Sequence, residues 1–416
     1  MMKILKFGGA SVKDADGVKN FADVIKQIEF TKGVIVISAM GKMTNAFEEI
    51  VRAVVHQPDQ VEEKVTITKV YHQEIINGLF GSQSVHTTEI NDLYEVLWQI
   101  IRLNKSNSYD KLYDAVVSQA EIISTKICCL WLEHSGITYR WLDARKVIRT
   151  DDNYRKAKVD WELTHAAITK EVNASEVTIT QGFIGSDANN NTTTLGREGS
   201  DYSAAIFAYC LDSNEVNIFK DVPGVMNADP RFFENPVLLN EISYTEAIEM
   251  SFYGASVIHP KTIQPLQKKR IPLRVKSFIT PLLPGTVISK SLMLEPKTPI
   301  FIRKANQILV SISDKDFDFI AEENLSEIYD LFHRYKISIN LMQLSAISFS
   351  VCFEDIFNTF PLLIDDLHKK YKVLYNKELT LYTIRHFTDQ NVDDLLKDKV
   401  VMLKQASRET IQILTK

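Results

Sequence analysis

Residues 192–205, TTTLGREGSDYSAA, place two glycines, an arginine and an aspartate around a helix start. Gly196 and Gly199 let the backbone bend closely around a ligand. Ser200 and Asp201 are good helix starters, and 202–211 reads as the helix that follows. A helix N-terminus offers unpaired N–H groups and a partial positive charge, which suits phosphate or carboxylate. Arg197 adds a planar fork of donors for the same kind of anion. These residues would equally serve a plain loop with an N-cap, so other positions must carry the case. Lys6 is the only cation on a strand over 4–7 that runs into Gly8-Gly9. There the backbone can approach a ligand and a cation can meet phosphate as a point charge. Ser38, Thr44 and Asn45 lie in a glycine-containing loop after the second strand. Glu121 stands among Val116, Val117, Ile122 and Ile123 on a long helix. It is either an edge residue facing water or a buried anion awaiting a cationic ligand. Asp221 ends a strand over 216–220, before the turn Pro223-Gly224.

The elements that must position these groups alternate in the first part of the chain. Strands over 4–7, 34–39, 137–142, 177–183 and 216–220 are separated by helical patterns, including 44–56, 61–79, 90–103 and 110–134. Continuous apolar runs between amphipathic helices predict an open, mostly parallel sheet sandwiched by helices, with ligands at the carboxyl ends of the strands. Ser243 and Glu246 form a capping box, His259-Pro260 opens another helix, and 272–277 is a strand. A proline-punctuated stretch over 281–299 then divides the chain. Beyond it, strand 308–313, helix 321–335, strands 337–342 and 346–353, helix 356–370 and strand 372–376 give the βαββαβ order of a ferredoxin-like α+β sandwich. A strand near 379–386, a short helix and strands near 399–404 and 410–415 suggest a second, shorter copy. The expected domains are 1–292 and 293–416, the latter holding one full unit at about 306–377 and a second made from 299–303 and 378–416.

The 416 residues allow two or three domains with large cores. Hydrophobic content of 45% and charged content of 24% are those of a soluble globular protein. A net charge of -5 supplies no basic footprint, so neither nucleic acid nor an anionic membrane is expected as a partner. Cys128, Cys129, Cys210 and Cys352 lack metal-ligand spacing, and no metal site is expected from protein residues. They read as buried free thiols in a reducing cytosol, hence a cytoplasmic location. The start, MMKILKFGGASV, is too short in apolar run for a signal peptide, and no later segment is expected to span a bilayer.

KFGGASV at 6–12, SAMGKMTN at 38–45, SQAE at 118–121, TQGFIG at 180–185 and TTTLGREGSD at 192–201 together resemble the aspartate kinases. So do KDVPGVMNADPR at 220–231, EISYTEAIEMSFYGASVIHPKT at 241–262 and PGT at 284–286. The resemblance covers nearly the whole chain, and its C-terminal part is similar to that family's ACT regulatory domains. It implies the amino acid kinase fold and ATP- and Mg²⁺-dependent phosphorylation of the L-aspartate side-chain carboxylate, the first step toward lysine, threonine and methionine. By the family pattern Lys6 meets the phosphates and Asp201 orients it, while Arg197 holds the substrate α-carboxylate and Glu121 its ammonium. Ser38, Gly8 and Gly9 line the phosphate path. Thr44, Phe183 and Ser200 line the substrate pocket, and Lys220, Asp221 and Arg231 match nucleotide positions.

Four residues depart from that pattern. Ala10 stands for a threonine, Glu198 for a glycine and expected to point outward, Lys220 for a threonine, and Ser256 for a lysine near ATP. Lys220 is expected to supply the charge that Ser256 lacks. In the ACT part, Ser338, Ile339, Asn340 and Ser345 match an effector site, with lysine the first choice of ligand and threonine the second. A homodimer through the ACT units is expected. Two other readings remain open: a kinase for another small carboxylate such as glutamate or acetylglutamate, and a catalytically silent, amino-acid-sensing subunit.

Overall fold

The computed structural model describes residues 2–82, 84–104, 108–255, 258–290, 293–316 and 318–416. The chain forms two compact units, Met1–Val225 with Leu238–Ser251 and Ser256–Pro296, and Met226–Val237 with Phe252–Ala255 and Lys297–Lys416. The proline-punctuated stretch therefore marks the main division, but two short segments before it, 226–237 and 252–255, fold with the second unit.

The first unit runs β1 (Lys3–Phe7), α1 (Ala15–Gln27), β2 (Gly33–Ile37), α2 (Met43–His56), α3 (Val61–Phe80), α4 (His86–Arg102) and α5 (Tyr109–His134). It continues with β3 (Arg140–Leu142), α6 (Trp161–Glu171), β4 (Val177–Gln181), β5 (Ile184–Ser186), β6 (Thr192–Thr194), α7 (Gly199–Cys210) and β7 (Glu215–Lys220). β8 (Glu241–Ser243), α8 (Tyr244–Tyr253), α9 (Pro260–Lys269), β9 (Leu273–Ser277) and β10 (Thr286–Ser289) follow. Eight strands make one sheet in the order β3-β4-β2-β1-β7-β9-β10-β8, and β9–β10 is its antiparallel pairing. β2 and β4 are buried along their whole length, as strands covered on both faces must be. In β1, Ile4, Leu5 and Phe7 pack in the same core, so Lys6 is a charged group held inside it.

α5 is the central helix. It is long and apolar enough by composition to cross a membrane, contrary to the expectation above, yet 83% of its most apolar window is buried inside the fold. Its polar residues Asp114, Ser118, Glu121 and Thr125 recur at i, i+4, i+7 and i+11, one stripe of a helix, and all four are buried. α8 opens as expected, with the Glu246 N–H donating to Ser243 Oγ at 3.0 Å. α9 opens on His259, whose Nδ1 accepts from the Lys261 N–H at 3.2 Å.

The second unit contains β11 (Ile300–Asp314), α10 (Glu322–Arg334), β12 (Ile339–Leu344), β13 (Ser348–Glu354), α11 (Phe360–Lys370), β14 (Tyr371–Arg385), α12 (Asp389–Leu396), β15 (Val401–Ala406) and β16 (Thr410–Thr415). Its six strands form one sheet, β12-β13-β11-β14-β16-β15. The separate strands expected at 372–376 and 379–386 are one strand, β14, and the segment 299–303 belongs to an equally long β11. Ile300–Lys304 pairs with Leu381–Arg385, which in turn pairs with β16. Two long strands thus thread both halves. The β11–β14 register shifts around Lys304, Gln307 and Leu309, beside Asn306 and Glu378 with φ of 56° and 60°. A bulge there re-aims the sheet where one half gives way to the other. The core of the first half is Val310, Ile312, Phe332, Val351, Phe353, Leu363 and their neighbours.

Candidate active site

β1 and β7 are paired in parallel, with Lys6 opposite Ile218, so the two strands end side by side. α7 delivers Asp201 to the same place from its first turn. Lys6 Nζ lies 2.5 Å from Asp201 Oδ1, and Lys220 Nζ approaches Oδ2 at 3.9 Å. Burial raises the pKa of Asp201, but Lys6 and then Lys220 outweigh it and hold the carboxyl below its ordinary value. Two cations thus approach one carboxylate that is itself buried in a place of low dielectric. An anion entering there is attracted more strongly than it would be in water.

Glu121 projects from the polar stripe of α5. Its carboxyl accepts from the Ala39 N–H, and Oε2 is buried without a hydrogen-bond partner among the described residues. Burial pushes its pKa up to about 8, against the opposing pull of that N–H and of Lys6. An unsatisfied buried carboxyl oxygen is costly, and a cationic ligand would satisfy it. The loop that carries Ala39 is tied to the same helix by Ser124 Oγ, which donates to the Ser38 carbonyl at 2.6 Å.

Gly8 and Gly9 do different work. A Cβ on Gly9 would lie 2.5 Å from the Ala39 carbonyl oxygen, so this glycine allows the two loops to touch. A Cβ on Gly8 would sit 3.6 Å from Lys6 Nζ, in the space beside the ammonium. The turn before α7 is equally tight. Gly196 has φ of 80° and Glu198 φ of 53°, and a Cβ on Gly199 would fall 2.5 Å from Phe183 Cδ2. Phe183 itself has φ of 72°, a strained conformation for a bulky residue, and its N–H donates to Ser203 Oγ at 2.9 Å. Ser200 packs where a Cβ on Gly182 would be, 2.7 Å from its Oγ.

Asp114, a residue that the sequence reading did not single out, sets the position of this turn. It accepts from the Thr194 N–H at 2.8 Å and hydroxyl at 2.7 Å, and from the Arg155 N–H at 3.0 Å. Burial raises its pKa to about 6 in spite of those bonds. The signal that would have found it is the seven-residue spacing to Glu121 on an otherwise apolar helix. Glu198 does not point outward as expected. Its Oε2 accepts from the His259 N–H at 2.9 Å, at the start of α9. There a carboxylate meets the positive end of a helix.

The remaining residues lie less deeply. Ser38 and Thr44 are half-buried, in the loop after β2 and in the first turn of α2. Arg197 and Asp221 are exposed. Arg231 belongs to the second unit, where Asp229 holds it with contacts down to 2.6 Å. Ser256 lies outside the described residues. In the second unit Asn340 is engaged on both sides, accepting from Lys304 Nζ at 2.8 Å and donating to the buried Gln307 Oε1 at 2.8 Å. Ser338 and Ser345 are exposed at opposite ends of β12, and Ile339 begins that strand. Ser345 turns back onto Ser348, with the hydroxyls 2.7 Å apart. Five residues of extended chain, about 16 Å, separate Asn340 from Ser345. One chain therefore does not bring both to the same small amino acid.

The family model described as the amino acid kinase family matches residues 1–277. The lysine-sensitive aspartokinase 3 of Escherichia coli (strain K12) is 32% identical over 349 residues, which are 83% of this chain and 76% of that protein. Aspartokinase 1, chloroplastic, of Arabidopsis thaliana is 30% identical over 84% of this chain, which spans 62% of that longer protein. Among solved structures, E. coli aspartokinase III in complex with aspartate and ADP (R-state) matches with a TM-score of 0.82 at 27% identity, over 100% of this chain and 96% of that one. The same enzyme in complex with lysine and aspartate (T-state) matches with the same TM-score over 99% and 95%. The chain therefore belongs to the amino acid kinase family and, within it, to the aspartokinases.

Proposed function

We propose that this protein transfers the γ-phosphoryl group of ATP to the side-chain carboxylate of L-aspartate, giving 4-phospho-L-aspartate and ADP. The observation that carries the proposal is the buried Lys6–Asp201 pair approached by the half-buried Lys220, with Glu121, an unsatisfied buried carboxyl, also close enough to Lys6 to feel its charge. The substrate carboxylate is ionised at neutral pH and needs no general base. One of its oxygens bonds to the γ-phosphorus while the bond to the bridging oxygen of ADP breaks, and no proton moves. What remains for the protein is alignment and the neutralising of charge on the phosphoryl oxygens. Lys6 and Lys220 supply two positive charges there, and Asp201 orients both. Glu121 receives the substrate ammonium, and Arg197, on the turn held by Asp114, receives the α-carboxylate. Ser38, Gly8 and Gly9 border the phosphates, and Thr44, Phe183 and Ser200 border the substrate. Asp221 is assigned to the nucleotide. Among the described residues no group of three or more His, Cys, Asp or Glu could hold a metal. Mg²⁺ would then arrive on nucleotide phosphates and water, and no protein residue is assigned to it.

A coupled assay of ADP release with ATP, Mg²⁺ and L-aspartate, repeated with L-glutamate, tests the proposal. Turnover with aspartate alone supports it, turnover with glutamate favours a different carboxylate kinase, and none with either leaves the silent sensing subunit. The second unit is assigned a regulatory role with L-lysine as effector, ahead of threonine. The E. coli relative is described as lysine-sensitive and has been solved with lysine. The edge strands β12 and β15 of this chain's second unit carry exposed Met342, Leu344 and Val401 and are suited to pairing with a second copy.

A further inference from the structure

A cavity of about 410 Å³ opens beside the end of β3, lined by Asp143, Arg145, Lys146, Arg149, Ser186 and Asn190 among others. Three cations face one carboxylate, a net charge of +2. Asp143 is taken up by Arg145, whose Nη2 lies 2.7 Å from its Oδ2. Among the described residues the Arg149 guanidinium has only neutral partners, donating to Ser186 Oγ at 2.7 Å, Asn190 Oδ1 at 3.1 Å and the Asp187 carbonyl at 2.8 Å. Its guanidinium is thus fixed in place with its charge uncompensated. Lys146 is exposed, and its ammonium makes no hydrogen bond or ion pair among the described residues. The nearby Asp187 carboxylate is turned into its own loop, accepting from the Asn189 N–H, the Asn191 N–H and amide, and the Tyr154 hydroxyl.

The cavity lies on the rim where the parallel strands end, three strands from β1 in the sheet order. At the spacing of neighbouring strands that is about 14 Å from Lys6, too far to be part of the same ligand site. The β5–β6 hairpin connects the two places. Its tip supplies Ser186 and Asn190 to the cavity, and its base is Phe183 and the turn that leads to Asp201. Leu195 closes that base by donating its N–H to the Phe183 carbonyl at 2.9 Å.

We propose that this cavity is a second anion site, for a small molecule bearing a phosphate or carboxylate group, and that its occupant steadies the hairpin that carries the catalytic turn. Equilibrium dialysis with radiolabelled orthophosphate at low ionic strength, without nucleotide, tests it. Lys6→Met removes phosphate binding at the catalytic centre. The protein so altered is expected to keep one phosphate per chain, and adding Lys146→Glu, which cancels the net charge, weakens that binding by at least about tenfold. Lys146→Glu alone leaves aspartate kinase turnover in place, so loss of the cavity's ligand is distinguishable from loss of the enzyme. Acetate displacing the label as readily as unlabelled phosphate supports a carboxylate occupant, and its failure to do so supports a phosphate-bearing one. No retained phosphate in Lys6→Met, or retention unaffected by Lys146→Glu, overturns the proposal.

Discussion

The proposed pairing of Glu121 with the substrate ammonium would make aspartate binding a proton-linked event. With a folded-state pKa of about 8, most of the Glu121 carboxyl is protonated at neutral pH in the empty protein. In that pairing the ammonium meets the ionised form, so binding at neutral pH would expel close to one proton. The apparent KM is the intrinsic value divided by the ionised fraction. It is raised about tenfold at pH 7 and about a hundredfold at pH 6, and levels off above pH 8. Glu121→Gln removes both the charge and the titration. It should raise the aspartate KM by roughly 30- to 150-fold at pH 8, equivalent to about 2–3 kcal/mol for a charged hydrogen bond, with a flat pH profile. Stability carries the same signature with a definite sign. The folded carboxyl binds its proton more tightly than the unfolded one, so its contribution is complete below the ordinary value of 4.5 and is lost as pH rises toward 8. Thermal midpoints of Glu121→Gln and the unaltered protein should therefore diverge as pH rises across that window, with the variant the more stable of the two at pH 8. The assay is initial rate against aspartate concentration from pH 6 to 9 with saturating ATP. A KM that does not move between pH 6 and 8, or a slope that survives in Glu121→Gln, refutes the assignment of this residue to the ammonium.

Lys220→Ala should raise the KM for ATP by about three- to tenfold while changing the aspartate KM little, as expected for a partly exposed cation worth about 1 kcal/mol. An unchanged ATP KM removes Lys220 from the nucleotide site. Asp114→Ala deletes the acceptor for three donors on β6 and the Arg155 turn, at a cost of about 2–4 kcal/mol and a fall in thermal midpoint of roughly 5–10 °C. Calorimetry showing no loss would mean that the hairpin is held by other contacts.

The chemistry was most legible where a residue broke the pattern of its element. Lys6 interrupts an apolar strand, Asp201 follows two glycines at a helix start, and Glu121 interrupts an apolar helix. Each anomaly survives in the fold as a buried ionisable group. Asp114 breaks the same helix by the same rule, and only its spacing to Glu121, not its neighbours, reveals it. Short elements were lost for a different reason. The β5–β6 hairpin and β8 have three residues per strand, too few for a period to emerge. β11 and β14 failed in the opposite sense. Asn306 and Glu378 take positive φ within continuous strands, and a bulge reads in sequence like the turn between two separate ones.

Direction of side chains was the least legible property, and Glu198 shows why. A carboxylate beside an anion site is repelled by the ligand, which argues for solvent. The helix that would receive it begins about sixty residues later, and no local pattern announces that α9 presents its N-terminus there. The His259 N–H offers a partner with partial positive charge, so the carboxylate turns to it. One consequence is mechanical. The left-handed residue that shapes the catalytic turn is also the residue that anchors that turn to α9. Conformation and anchorage then reside in a single side chain, so a change at Glu198 that spares every group touching substrate would still displace Arg197 and Asp201 together.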